Sequence, residues 1–253
     1  MRIMTFNIRF LNAEDGPNHW QFRKELVLEV VWTYQPDLLA CQEVTIPQLD
    51  FLTGNLTGYE PFIQHRDIDL TCQYPTIFYR PETIDAGPGE EFWLSETPAV
   101  HRSKSWGSAF PRMVTFGLFR ERHRSLWFYF GDTHLDHISV QAREQGALML
   151  RDLFQRLAKP AVLAGDFNDL PTSTVHATLT GPESPFRDTW QLAQQPEAGV
   201  TTQHKFDGRF FGGRIDWILI TDPFRLKTAQ IIKYNQANRY PSDHFPYCVD
   251  LEY

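Results

Sequence analysis

RIMTFNIRF, residues 2–10, sets Arg2, Met4, Phe6 and Ile8 against Ile3, Thr5, Asn7 and Arg9, and DLLACQEV, residues 37–44, is an apolar run carrying Glu43 near its end. Period-two alternation marks a strand, and a short apolar run rich in Leu and Val is that of a buried one. Between them a Gly/Pro/Asn-rich loop, NAEDGPN, gives way to apolar positions 20, 27, 30, 31 and 34, which share one helical face from Trp20 to Tyr34 until Pro36 ends the helix. The chain thus opens with a strand, helix, strand unit, which points to an α/β protein.

Further along, strands are predicted over Tyr59 to Gln64, Thr76 to Arg80, Phe92 to Leu94, Met113 to Phe119 and Leu126 to Thr133. A helix over Val140 to Leu157 precedes PAVLAGDF, a buried strand ending in Asp166, and a short helix near Ser173 to Leu179 follows. The last strands are RIDWILI, Leu226 to Ile232 and FPYCVDLE. No repeat, low-complexity stretch or linker interrupts the pattern, so one domain over 1–253 is expected, with two packed sheets flanked by helices.

The 253 residues carry 24 Lys plus Arg against 31 Asp plus Glu, a net charge of −7, with 42% hydrophobic residues, which excludes disorder, collagen and coiled coil. That balance argues against a protein held to DNA by a broad basic face, although one groove can still be basic. Three cysteines, Cys41, Cys72 and Cys248, without a Cys-x-x-Cys pair, read as core thiols of a reducing compartment. No cationic stretch followed by an apolar signal segment opens the sequence and no run of eighteen apolar residues occurs, so a cytoplasmic protein without a membrane partner is expected.

Polar residues interrupt apolar strand ends at Asn7, at Glu43, in GDTHLDH (131–137), in GDFND (165–169) and in SDH (242–244). A single acid past a strand is more often a cap or turn residue, but acids, amides and histidines at many strand ends describe a hard-cation site with acid/base groups beside it. Oxygen donors from Asn7, Glu43 and Asp243 suit Mg²⁺, with Mn²⁺ as a substitute. Asp166 and Asn168 share one edge, where one takes a proton from water and the other holds that water or a phosphate. Asp216 and His244 pair as a carboxylate fixing the tautomer of a histidine.

TFNIR, CQE, THLDH, GDFND, RIDWIL and SDHFP occur in this order along the whole chain. Together they resemble the endonuclease/exonuclease/phosphatase superfamily. DGPNHWQFR, EFWLSETP and YPSDHFP further resemble a bacterial branch distantly similar to the deadenylases of the carbon-catabolite-repressor group. The resemblance implies an α/β fold, a four-layer sandwich of two packed mixed β-sheets flanked by helices, with the site at one end of the sheets. It makes Glu43 the principal metal carboxylate with Asn7 and Asp243 near the metal. It has Asp166 orient or deprotonate the attacking water, Asn168 and His134 face the phosphate, and Asp216 support His244. Asp136 and His137 belong to the branch pattern, and a turn-stabilising role is the better expectation for both.

One departure stands out. Relatives carry a glutamate before IFYR that supports the histidine matching His134, whereas this chain has Gln73, which cannot favour a cationic ring by Coulomb attraction. His134 is therefore expected to be mainly neutral at pH 7. Trp20, Trp93, Trp106 and Phe206 are expected in the core rather than stacking a base. Arg112 is left between a phosphate clamp and a surface ion pair, Glu96 between support of the site through a histidine and a cap or structural contact, and Arg120, Arg122 and Arg124 are assigned to a solvated turn.

The expected activity is a Mg²⁺-dependent phosphoesterase. A phosphodiesterase, including a 3′-to-5′ exonuclease on short or single-stranded nucleic acid, ranks slightly above a phosphomonoesterase on a small metabolite. A non-catalytic binding protein that keeps the fold is the rival of another class, and Gln73 is what makes it thinkable.

Overall fold

The computed structural model describes residues 1–63, 69, 70 and 72–253. Among them, one six-stranded sheet holds β1 (Arg2–Asn7), β2 (Leu38–Val44), β3 (Glu60–Phe62), β4 (Tyr74–Tyr79), β11 (Arg225–Ile231) and β12 (Tyr247–Glu252), in the order β11-β12-β1-β2-β4-β3. The other holds β5 (Ile84–Trp93), β6 (Met113–Glu121), β7 (Trp127–His134), β8 (Ala161–Asp166), β9 (Arg187–Asp188) and β10 (Asp216–Ile220), in the order β5-β6-β7-β8-β10-β9. Each sheet has one parallel pair, β1 with β2 and β7 with β8. Parallel neighbours need a crossover, and α1 (Lys24–Tyr34) and α3 (Val140–Leu157) supply the two.

Period two along β1 decides which side chain enters which layer. Ile3 faces the other sheet in a core shared with Leu38, Phe128, Phe130, Val162, Ile218 and Val249, while Met4 and Phe6 face α1 with Val27, Val30 and Val31. On the far side, Val114, Phe116 and Leu163 pack under α3 through Leu150 and Phe154. The result is helix, sheet, sheet, helix, the expected four-layer α/β sandwich, with Asn7 on the inter-sheet side of β1 at its end.

Several elements differ from the sequence prediction. A helix over Ile46–Asn55, α2, was not predicted; Pro47 in its first turn and the Thr45/Gln48 capping box start it despite a composition that favours turns. β5 begins at Ile84 rather than Phe92 because a bulge between Ala86 and Gly89 accommodates Gly87 and Pro88 inside an edge strand. A Cβ at Gly89 would lie 2.4 Å from the Phe62 ring, so this glycine lets an aromatic from the other sheet lie against the strand. Trp20 belongs to a 3₁₀ turn, Trp20–Phe22, before α1 begins at Lys24. Of the strand predicted over Tyr59 to Gln64, Glu60–Phe62 forms and Gln64 lies outside the described residues.

All three cysteines are free and buried. No helix among the described residues is long and apolar enough to cross a membrane.

Candidate active site

Strand register brings the chemistry together. His134 at the end of β7 is the cross-strand partner of Asp166 at the end of β8, and Asp166 is in turn the partner of Asp216 at the start of β10. Three reactive side chains thus stand in one row across the second sheet, where directly opposed residues lie within about 5.5 Å. β7 and β8 can close up there because Gly165 has φ 153°; a Cβ at that position would sit 2.1 Å from the Thr133 carbonyl oxygen. From the facing sheet Asn7 reaches across, its Nδ2 donating to Asp166 Oδ2 at 2.9 Å and to Glu43 Oε1 at 3.2 Å.

Glu43 sits where the β2–β4 register shifts, between Cys41 and Val44, and has φ 64°. The irregularity re-aims its carboxylate out of the strand's alternation into the cavity, where the Phe10 N–H donates to Oε2 at 2.9 Å. Asn168 likewise has φ 51°, in a tight turn where its N–H donates to Asp166 Oδ1 at 2.9 Å. Two candidate residues therefore hold left-handed backbone that non-glycine residues adopt at a cost, as residues at functional sites often do.

The segment before the last strand delivers the remaining members. His244 Nδ1 lies 2.9 Å from Asp216 Oδ2, and its Nε2 faces Asp166 Oδ2 at 3.9 Å. Thr202 aligns the pair: its hydroxyl accepts the Ile215 and Asp216 N–H groups at 3.0 and 3.1 Å, and its carbonyl accepts the Phe245 N–H at 2.7 Å. Asp243 precedes His244 at the cavity wall.

The electrostatics divide the two histidines. Burial disfavours the His244 cation, but Asp216 and then Asp166 outweigh it and push the imidazole up to about 10. His134 is driven the other way, by burial and then by the Arg112 guanidinium, well below its ordinary range. Arg112 Nη1 lies 3.0 Å from His134 Nδ1 and Asn168 Nδ2 lies 2.9 Å from its Nε2; both neighbours only donate, so a cationic ring with N–H groups at both nitrogens is disfavoured and His134 is neutral. Nε2 also lies 3.4 Å from Asp166 Oδ2. Asp166 itself is pushed up to about 7 by burial and by the neighbouring Asp216.

These contacts decide between the two readings of Arg112 and correct the reason expected for the neutrality of His134. Arg112 is buried rather than part of a surface ion pair, and it lines the cavity. The partners of His134 are Arg112, Asn168 and Asp166, so its neutrality follows from Arg112 and burial, not from the glutamine at position 73, which lines the cavity wall instead.

Glu43, His134, Asp166, Asn168, Asp243 and His244 all line one cavity of about 300 Å³, with Asn7 and Asp216 immediately behind them. Arg9, Phe10, Phe110, His137 and Gln203 complete its walls. Sequence reasoning singled out none of Arg9, Phe10, Phe110 and Gln203; for Arg9 the alternation of RIMTFNIRF was the available signal, and for the others there was none. Asp136 organises the turn after β7, its Oδ1 accepting the Ile138 and Ser139 N–H groups at 3.0 and 2.7 Å. Trp20 and Trp93 are core residues, and Glu96 is exposed away from the cavity.

The donor set fits a hard divalent cation. Three oxygen-bearing acids, Glu43, Asp166 and Asp243, converge on the cavity. Asp166, Asp216 and His244 also bring ligand atoms within 4.8 Å of one another. In that trio His244 is itself the cation, with Nδ1 engaged by Asp216; Glu43 and Asp243 offer carboxylates at the cavity wall, and the Asn7 Oδ1 accepts the Arg9 N–H at 2.9 Å.

A fold of two stacked mixed sheets with acids, an amide and paired histidines at one end defines a class of phosphoester hydrolases. Residues 4–244 match the Endonuclease/Exonuclease/phosphatase family, and the chain belongs to it. Its members are hydrolases acting on phosphoester bonds, and its enzymes generally use divalent metals. The chain is similar to a mannosyl-6-phosphatase of Bacteroides thetaiotaomicron, at TM-score 0.91 and 28% identity over 100% of both chains. A second protein of the family from the same organism matches at TM-score 0.90 and 29% identity, covering 99% of this chain and 97% of the other. An uncharacterized protein, L388, of Acanthamoeba polyphaga mimivirus is 25% identical over 66% of this chain and 67% of its own length.

Proposed function

We propose that this protein is a divalent-metal-dependent phosphomonoesterase acting on a small polar phosphorylated molecule of the sugar-phosphate class. The observation that carries this choice over a polynucleotide substrate is the cavity: about 300 Å³, walled on several sides by Phe10, Phe110, His137 and Gln203, in a chain of net charge −7. A strand-tracking enzyme needs an extended basic groove with stacking platforms. The end-to-end similarity to a mannosyl-6-phosphatase supports the same order, which reverses the ranking expected from sequence alone.

Glu43, Asp243 and Asn7 would hold Mg²⁺ or Mn²⁺. When bound, the ion supplies Lewis-acid stabilisation of charge on the phosphoryl and leaving oxygens. Asp166 takes the proton from the attacking water, and a carboxylate near 7 is matched to that work at neutral pH. His244, kept cationic by Asp216, and the permanently charged Arg112 neutralise non-bridging oxygens. Asn168 holds the water or a phosphate oxygen, and the neutral His134 ring keeps the Asn168 amide in place through its 2.9 Å contact. As the water–phosphorus bond forms, the bond to the leaving oxygen breaks.

The test is turnover of hexose 6-phosphates against bis-p-nitrophenyl phosphate and short single-stranded RNA, with Mg²⁺ or Mn²⁺ and in excess EDTA. Metal-dependent release of phosphate from the monoesters, with the diesters at least tenfold slower, is expected. Full activity in EDTA would end the metal mechanism, and faster cleavage of RNA or the diester would restore the nuclease ranking. Glu43→Gln is expected to weaken Mg²⁺ binding in calorimetry while the fold survives.

A further inference from the structure

His137 has no part in the chemistry above, yet it is built into the cavity wall with unusual care for an exposed side chain. Arg112 Nη2 lies 3.2 Å from His137 Nδ1, the same guanidinium whose Nη1 meets His134. Because the guanidinium only donates, His137 Nδ1 must accept, which leaves the ring neutral with its proton on Nε2. The ring stacks on Phe110 with centroids 5.6 Å apart and planes at 27°. Asp136 ties the two loops together, its Oδ2 accepting the Ala109 N–H at 2.9 Å and its Oδ1 the Ile138 and Ser139 N–H groups. One tautomer and one ring orientation are thereby set before any ligand arrives.

The guanidinium also gives a direction. His134, at its inner end, is buried beside Asp166, and His137, at its outer end, is exposed at the mouth together with Phe110, which is 47% exposed. With the phosphate at the inner end, whatever the phosphate is attached to lies toward the mouth. There it meets a fixed N–H donor beside an exposed aromatic face, which matches a hydroxyl next to a C–H face of a polyol or pyranose.

We propose that His137 determines specificity for the leaving group, its Nε2–H donating to a hydroxyl of a sugar or polyol while Phe110 fixes the imidazole and covers the adjacent C–H face. This rests on the phosphomonoesterase function proposed above. Arg112 is then a positioning residue for both histidines as well as a phosphate contact.

The experiment compares kcat/KM for a hexose 6-phosphate with that for p-nitrophenyl phosphate, whose leaving group has no hydroxyl to offer, in wild type, His137→Ala and His137→Gln at saturating Mg²⁺. The ratio of the two values does not depend on the fraction of folded enzyme. His137→Ala is expected to lower it about tenfold, the scale of one lost hydrogen bond, and His137→Gln, which keeps an N–H donor near the Nε2 position, to recover most of it. A ratio unchanged within twofold in His137→Ala, or lowered equally in both variants, overturns the assignment while leaving the monoesterase function standing. A wild type that hydrolyses neither monoester overturns that function and this assignment with it.

Discussion

Two buried histidine–aspartate pairs have their carboxylates on the same sheet, and they do different work. His244 meets Asp216 at 2.9 Å, and His176 in α4 (Thr174–Thr180) meets Asp188 at the same 2.9 Å. Both histidines are 4% exposed. The second pair is closed on every side: His176 Nδ1 faces the Thr180 hydroxyl at 3.1 Å, the Trp217 ring stands edge-on at 4.9 Å, and Arg214 donates to Asp188 at 2.6 Å and to Glu197 at 2.6 Å. Burial pushes the Asp188 carboxyl up, but His176 and Arg214 outweigh it and hold the group below its ordinary range. The first pair leaves His244 Nε2 turned to the cavity and to Asp166, and among the described residues no arginine pairs with Asp216. A buried histidine–carboxylate contact is therefore no mark of catalysis by itself. What separates the two is the environment of the second ring nitrogen and whether another cation has already balanced the carboxylate.

The sharpest way to break this contrast is to mutate the two regions in parallel. Asp166→Asn is expected to lower kcat at least a hundredfold with Mg²⁺ binding retained, since a general base typically contributes that much; a variant keeping more than about a tenth of the rate would contradict the role. Asp188→Ala should instead leave His176 without its carboxylate and buried Arg214 with Glu197 alone. Breaking a buried pair this way costs about 3–5 kcal/mol, which at about 2–4 °C per kcal/mol corresponds to a melting midpoint lower by roughly 10 °C. Its kcat, measured well below that midpoint, should stay within about threefold of wild type.

The histidines come next. His244→Gln removes a cation from the phosphate site and should cost about a hundredfold in kcat, whereas His176→Gln should lower stability and leave kcat nearly intact. Steady-state kinetics paired with thermal melts of both variants decide this: equal kinetic losses with unchanged melts would erase the distinction. Asp216→Asn is expected to lose less activity than His244→Gln, because the ring remains and only its charge and orientation suffer.

The smallest effect is on stability against pH. His244 rises from an ordinary 6.5 to about 10 on folding, so its stabilisation is complete below about pH 6.5 and is lost as pH climbs through about 10. Denaturant melts in EDTA between pH 6.5 and 10 should show wild-type stability falling relative to His244→Gln over that window. Parallel curves for the two proteins would mean that His244 is not held cationic.

Much of the site was legible because it lies where strands end. Asn7, Glu43, His134, Asp166, Asn168, Asp216, Asp243 and His244 are polar interruptions of apolar runs, and a sheet end is where such residues gather beside the apolar core and around a cavity. Elements with a strong local signal were equally legible, α3 over Val140–Leu157 most directly. α2 was missed because Pro47 and Gly54 imitate a turn, and the first half of β5 because Gly87, Pro88 and Gly89 imitate a loop until Phe62 from the facing sheet covers them. Arg112 follows a proline, and nothing local distinguishes an arginine that will face solvent from one that two imidazoles and a carboxylate will hold inside.

By itself, then, the sequence determined the inventory: alternating and apolar strands, two crossover helices, and a set of oxygen and imidazole donors at strand ends, all carried by periodicities of two and 3.6 residues that any local segment expresses. Only the tertiary structure decided which of those donors meet. The β7–β8 and β8–β10 registers align His134, Asp166 and Asp216, Asn7 bridges the sheets to Asp166, and Arg112 joins His134 to His137. The protonation state of a buried group depends on charges a few ångströms away in space, and those neighbours come from positions far apart along the chain.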